Sequence, residues 1–456
     1  MKNNGSVTPA ILVITGAFMV VIYGLLLLLV MQVDFSNRNL ASETSLSIAE
    51  SGVNYYRWHL AHDPADYKDA TTSAAPYVHT VLDPSGGKLG TYSLTITPPA
   101  SGSAVVTITS VGSATSYPNI KRTITAQYGR QSFAKYSFLQ NASAWYGPGI
   151  TVNGDIHSNT GIRMDGTNLS KVTSANLTYT CGSETGCSPS QSKPGVWGAG
   201  GDQTLWQYPI AAVDFNAISF DFAQMKTSAQ GGGLYLGASG KSGYHIIFSN
   251  TGSYEVRKVN STTTVTGYDA DSGCISLNQK TNSETSIGTY TIASKPIIFM
   301  EDNAWVEGTV KGKVTVVAAK FPVNTSNAYI WIPNNLQYAA YDGTNRLGLI
   351  AQTDIYFSRD IPTNFIVDGA LMAQKGKIIR HGYYSGCGAS ANSIRNSLTI
   401  NGSIISYAKS YWNWTSGSLV SGFTTRTINY DTKNLYEPPP YFPVFGDYEF
   451  ISWKEQ

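Results

Sequence analysis

The 456-residue sequence is poor in charge: Asp, Glu, Lys and Arg make up 13%, against about 25% in an average soluble chain. Acidic and basic residues nearly cancel, leaving a formal net charge of +2. No basic field therefore marks a nucleic-acid partner. Histidine is scarce, with six in the chain, and none stands in a G-x-S-x-G, H-E-x-x-H or H-x-x-E-H setting. Cysteine is limited to Cys181, Cys187, Cys274 and Cys387. No C-x2-C or H-x3-H pair accompanies the first two, which argues against zinc. These absences remove common hydrolase and metalloenzyme signatures, and the expectation is a non-enzyme without a cofactor. Gly, Ser, Thr, Asn and Tyr fill the space left by charge, which suits an extended β-rich surface protein.

Three partial signatures have plainer explanations. Tyr235–Ser242 (YLGASGKS) nearly fits a phosphate-binding loop, but its first glycine is replaced by Tyr235 and it runs into a strand-like GYHIIF. Asp269-Ala-Asp271-Ser-Gly273 begins like a calcium loop, yet Cys274 holds the place of the turn glycine and Lys280 that of the closing Glu. His59 and His62 could share a metal, but two cations in a helix's last turn also suit its dipole.

What is present begins with one long apolar run. Ala10–Val33 (AILVITGAFMVVIYGLLLLLVMQV) carries no charge, and as a helix it spans about 36 Å, enough for a hydrocarbon core of about 30 Å. It is too long for the core of a cleaved signal and lacks a small-x-small site behind it. Residues 1–9 then form a short cytoplasmic leader, and the bulk of the chain lies outside a single-pass anchor. Residues 34–63 continue without proline and place Leu40, Thr44, Ile48, Gly52, Tyr56 and Leu60 at spacing four, one face of a helix. Asp63-Pro64 supplies the stop. Residues 64–90 read as a loop. Thr91–Thr97, Ala104–Val111 and Ile120–Tyr128 then read as three antiparallel strands that close over the helix within residues 64–130.

The apolar helix, the Ala49-Glu50-Ser51-Gly52 step on its continuation, and the meander GTYSLTIT, VTITSVG and KRTITAQYG resemble the PilX-type N-terminal region of type IV pilus minor pilins and assembly proteins. The resemblance covers about residues 1–130. It implies a surface structural protein, other pilin-like subunits as partners, and processing after Gly5. Pilins carry Gly-Phe-Thr-Leu-Ile-Glu at that place; here Gly5 is followed by SVTPA, with Ala10 where the glutamate would fall.

Residues 131–434 have a different texture. Ile150–Ser158 (ITVNGDIHS) and Leu398–Ser406 (LTINGSIIS) share one frame, with weaker relatives at Phe365–Met372 (FIVDGALM) and Trp305–Val310 (WVEGTV). A strand, a polar-Gly corner and a second strand predict a β-solenoid or β-helix, the glycine supplying a backbone that a side chain would resist. The alternative is a β-sandwich. Residues 170–292 read as an inserted all-β subdomain that includes a helix near Phe215–Ala229. The Pro- and aromatic-rich residues 435–456 read as a C-terminal cap. Cys181 and Cys187, six apart in a Gly/Ser-rich stretch, predict a small disulfide loop, and Cys274 with Cys387 follows only by elimination.

The fold expected is thus mainly β with a long N-terminal transmembrane helix. The leading function is a type IV pilus-associated or minor-pilin-like surface component whose contacts include the lipid bilayer. The runner-up is a stand-alone adhesin that binds surface glycans through exposed aromatics, for which Tyr383, Tyr384, Tyr411, Trp412 and Trp414 are the candidates. The third is a membrane-tethered polysaccharide-cleaving enzyme, since two spaced carboxylates would suffice.

Overall fold

A computed structural model describes residues 7–100, 103–215 and 217–456. Gly5, the expected processing site, lies outside them. By its contacts the chain divides into two compact units.

The first unit comprises residues up to Pro99, Val105–Gly129 and Asp447–Gln456. Its helix α1 runs unbroken over Thr8–His62, 55 residues, or about 82 Å at 1.5 Å per residue. Proline opens its first turn, where no amide hydrogen bond is lost, and Asp63 ends it with an N–H bond to the His59 carbonyl at 2.9 Å. Residues 7–33 are exposed on every side, and this stretch is long and apolar enough to cross a membrane. The continuation is one-sided: Ala41, Ser45, Ile48, Ala49, Gly52, Val53, Tyr56 and Leu60 are buried. Leu40, expected on that face, is exposed. Steps of four advance about 400° in a helix of 3.6 residues per turn, so a strict spacing of four drifts off the face and steps of three must bring it back.

The buried stripe packs on an antiparallel sheet. Strands β1 (Tyr77–Leu82), β2 (Lys88–Thr97), β3 (Val105–Ala114) and β4 (Lys121–Ser132) lie in chain order. β1 falls within the expected loop, and its exposed Val78 and Leu82 leave it little apolar face to announce it. The C-terminal strand Val444–Glu455 completes the sheet beside β4, so the end of the chain is a sheet strand and not a cap. Gly112 of β3 lets the sheet meet the helix: a Cβ there would strike the backbone of Ser45 and Ala49. Ser45 Oγ donates to the Ile120 carbonyl at 2.9 Å and accepts from Ala114 N–H at 3.0 Å, which leaves no buried polar atom of that side chain unmet.

The second unit, Arg130–Gly446 with Ala100–Ala104, is built on parallel strands. One ladder runs in space through Leu234–Leu236, Ile297–Met300, Lys313–Ala318, Arg346–Ala351, Asn364–Ala373 and Ile394–Ser406. It then continues through Phe138–Gln140, Ile156–Ser158, Val172–Ser174 and Trp206–Gln207, so the earliest strands stack beyond the latest. A second ladder joins Gly243–Ser249, Ala304–Val310, Ile330–Ile332, Ile355–Phe357 and Ile378–Ile379. Such pairing departs from the two antiparallel sheets of a sandwich. The glycines of the four recurring segments all have positive φ, +107° at Gly154, +109° at Gly308, +135° at Gly369 and +152° at Gly402.

Residues 170–292 are not a separate subdomain. Val172–Ser174 and Gly243–Ser249 belong to the ladders, and two pieces cover the ladders' outer faces. Helix α2 (Ala217–Gly231) and the residues before it lay Val213, Phe215, Phe222, Met225 and Ala229 over Leu139, Ile405, Ile350 and Phe299. A long hairpin, Ser253–Asp269 with Gly273–Thr291, covers Trp305, Trp331, Tyr356 and Ile379 with Val259 and Leu277. Its tip is tied by a Cys274–Cys387 disulfide. The Tyr235–Ser242 segment connects two strands, as its plainer explanation requires.

Candidate functional site

Where the early strands meet the late ones, the ladders leave a groove of about 190 Å³. Pairing is continuous on one side, Ile404–Ser406 with Phe138–Gln140. On another, Ala144–Tyr146 is the edge of a three-stranded sheet, and Lys409–Asn413 shares the groove lining with it. Ala144 N–H bonds the Gly161 carbonyl and the Tyr146 carbonyl accepts from Asp165 N–H. By the alternation of a strand, the Trp145 amide and carbonyl between them point the other way, to the open edge.

Aromatic rings wall the groove. Phe138 meets Tyr146 edge-on at 5.3 Å, and Trp412 lies against Phe138 and Phe357 at 6.3 and 6.1 Å. Trp412 is only 6% exposed, and its indole N–H is buried without a partner among the described residues. Trp145 is 42% exposed and donates its Nε1–H to Asp165 at 2.9 Å. The Arg163 guanidinium sits between Trp145 and Trp197, 4.4 and 4.9 Å from their ring centres. Burial alone would raise the Asp165 carboxyl, but bonds from the Ala199 amide, Trp145 and Arg163 hold it below the usual carboxylate range.

The Cys181–Cys187 disulfide, with S–S 1.98 Å, closes a loop whose carbonyls anchor this wall. Thr185 O accepts from Arg163 Nη1 at 3.1 Å, and Glu184 O accepts from Lys409 Nζ. Burial lowers the pKa of Lys409. Arg426, also in the lining, is exposed and has no carboxylate in ion-pairing distance among the described residues. The lining contains two cations and no carboxylate.

No protein-family model matches the chain, and no curated protein matches it. Among solved structures it is similar to the crystal structure of the competence-associated pilin ComZ from Thermus thermophilus, with 13% identity over 91% of this chain and 97% of that one and a TM-score of 0.29. That likeness is too slight to carry an argument.

The five aromatics expected to be exposed divide. Tyr411 and Trp412 line the groove. Tyr383 is fully buried, accepts from Gln279 Nε2 at 2.9 Å and lies under Arg380, so it is no surface contact. Trp412 is likewise buried except for the edge that lines the groove. Tyr384 and Trp414 are half-buried and pack on Tyr268 of the long hairpin at 5.8 and 5.2 Å. Tyr411 bonds Asp269 and Lys377 at 3.0 and 3.1 Å, and burial pushes its pKa up to about 12. Asp269 is thus part of a buried cluster with Lys377, at 2.8 Å. His59 bonds Asp66 at 2.8 Å and His62 the Trp58 carbonyl, so the two rings serve separate partners. Trp145, Tyr146, Lys409 and Arg426 were not singled out by sequence. The Trp145-Tyr146 pair was a visible signal, but nothing local says that it faces residues 409–428.

Proposed function

We propose that the chain is a membrane-anchored, type IV pilus-associated structural protein in which a PilX-like, pilin-like module presents a β-helix body at the cell surface. One observation carries this reading: α1 is a single helix whose first half is apolar and uncovered on all sides, while its second half is one-sided and seated on a sheet. Leu12 and Val13, at 70% and 72% exposed, are typical of a surface that water does not tolerate at this extent. Lipid covers it in the bilayer, and the apolar helices of other pilin-like subunits would cover it in a fibre. Asp34 and Arg38 pair at 2.8 Å just beyond the apolar half, at the level where a helix leaves the hydrocarbon. The β-helix assignment rests on the two parallel ladders and on the positive-φ glycines at the repeated corners.

The test is the mature N-terminus of chains recovered from sheared surface fibres and from membranes. A start at Ser6 in the fibre fraction is expected. A Met1 start found only in membranes overturns the fibre assignment and leaves a fixed surface protein.

A further inference from the structure

In the groove at the seam, aromatic rings, two cations with no carboxylate in the lining and an open strand edge converge. The half-exposed ring of Trp145, with Tyr146 and an edge of Trp412 beside it in the lining, suits the C–H face of a sugar ring, which is apolar on one side and ringed by hydroxyls. The outward amide and carbonyl of Trp145 offer one donor and one acceptor to those hydroxyls. Arg426 and Lys409 give the mouth a positive sign that no lining carboxylate offsets. Arginine is suited to grip a carboxylate with two parallel hydrogen bonds.

Size narrows the class. About 190 Å³ falls below the roughly 300–1,000 Å³ of drug-sized sites, so a single ring fits while its neighbours in a chain lie outside. A nucleic-acid strand would need stacked bases and a track of cations, and the groove provides neither.

We propose that the seam groove binds one carboxylate-bearing sugar residue of an acidic oligosaccharide. The Cys181–Cys187 loop acts as a positioning element, holding Lys409 and Arg163 against the Trp145 wall through its backbone carbonyls. The proposal stands whether or not the chain enters a fibre.

The test is calorimetric titration of the full chain in detergent micelles with digalacturonate and sialyl-lactose, using lactose as the neutral counterpart and a short thymidine oligonucleotide as competitor. At least one acidic sugar is expected to bind tenfold or more tightly than lactose, with the preference shrinking as salt rises. Arg426→Ala, at an exposed position, is expected to keep the wild-type melting profile and to abolish that preference. Trp145→Ala is expected to weaken acidic and neutral sugars alike. Equal binding of acidic and neutral sugars, no sugar binding, tighter binding of the oligonucleotide, or an unchanged preference in Arg426→Ala would each overturn it.

Discussion

In β3 every second side chain is buried along the whole strand, whereas in Ile297–Met300 all are buried. The contrast separates the two units. The sheet of the first unit has one face on α1, and the period-two pattern that results is what sequence inspection detects best. In the second unit Val316 and Leu349 point into the space between the ladders, while their neighbours Val317 and Ile350 point outward beneath α2 and the segment before it. Both faces are therefore apolar, as parallel sheets require when something covers each side. A strand pattern thus reports how many faces are covered, and the cover itself comes from elsewhere in the chain.

If the two units are separately cooperative, substitutions should strike one and spare the other. The largest effect is expected at Trp305, a buried ring whose Nε1–H donates to the Gln279 carbonyl at 2.7 Å. Trp305→Ala should cost about 3–5 kcal/mol, lowering only the body's transition in calorimetry and speeding amide exchange in the hairpin. A matched pair of glycines comes next. Gly402→Ala should cost about 1–3 kcal/mol through its backbone conformation and depress the body alone. Gly112→Ala should cost roughly 1–3 kcal/mol through overpacking and depress the first unit alone. A single transition that shifts in both variants would refute separate cooperativity.

The smallest effect concerns pH. His245 pairs with Glu284 at 2.8 Å and Glu307 at 3.3 Å, joining the long hairpin to the ladders. Burial opposes its charge, but bonds to the two carboxylates raise its pKa above the ordinary value. The His245 bond lowers Glu284 to about 2. A raised histidine contributes stability that is whole below its unfolded value of about 6.5 and is lost as pH climbs through the folded one. A depressed glutamate contributes stability above about 4.3 that is lost as pH falls toward 2. Hairpin protection against hydrogen exchange, corrected for intrinsic rates, should therefore peak in mildly acid solution. In His245→Gln that peak should vanish; its persistence would assign the effect to other groups.

How much of this was legible follows from where each signal lies. The long helix was plain because nothing between Lys2 and Asp34 is charged and Asp63-Pro64 stops it. The corner glycines were legible because four segments repeat one frame. The covering role of the hairpin was not, since residues 254–259 (YEVRKV) and 262–268 (TTTVTGY) read as ordinary strands and only the ring of Trp305 reveals what they cover. The groove was half visible. Tyr411 and Trp412 stood out as an aromatic cluster, whereas Trp145 and Arg426 join them through a pairing of Ile404 with Phe138 that no local pattern encodes. Tyr383 stood out equally and is interior, because composition marks aromatic residues without marking their direction.

The pairing of Ile404–Ser406 with Phe138–Gln140 also bears on how the protein is made. A ribosome delivers Phe138 long before Ile404, so the first strands of the body emerge without the surface they are to stack on. Residues 138–207 must wait until roughly two hundred further residues, up to Ile404, have followed. Assembly of the body is then a late event, completed only after Ile404–Ser406 has been made, and a chaperone that shields Trp145 and Tyr146 during that interval would act on the very walls of the groove.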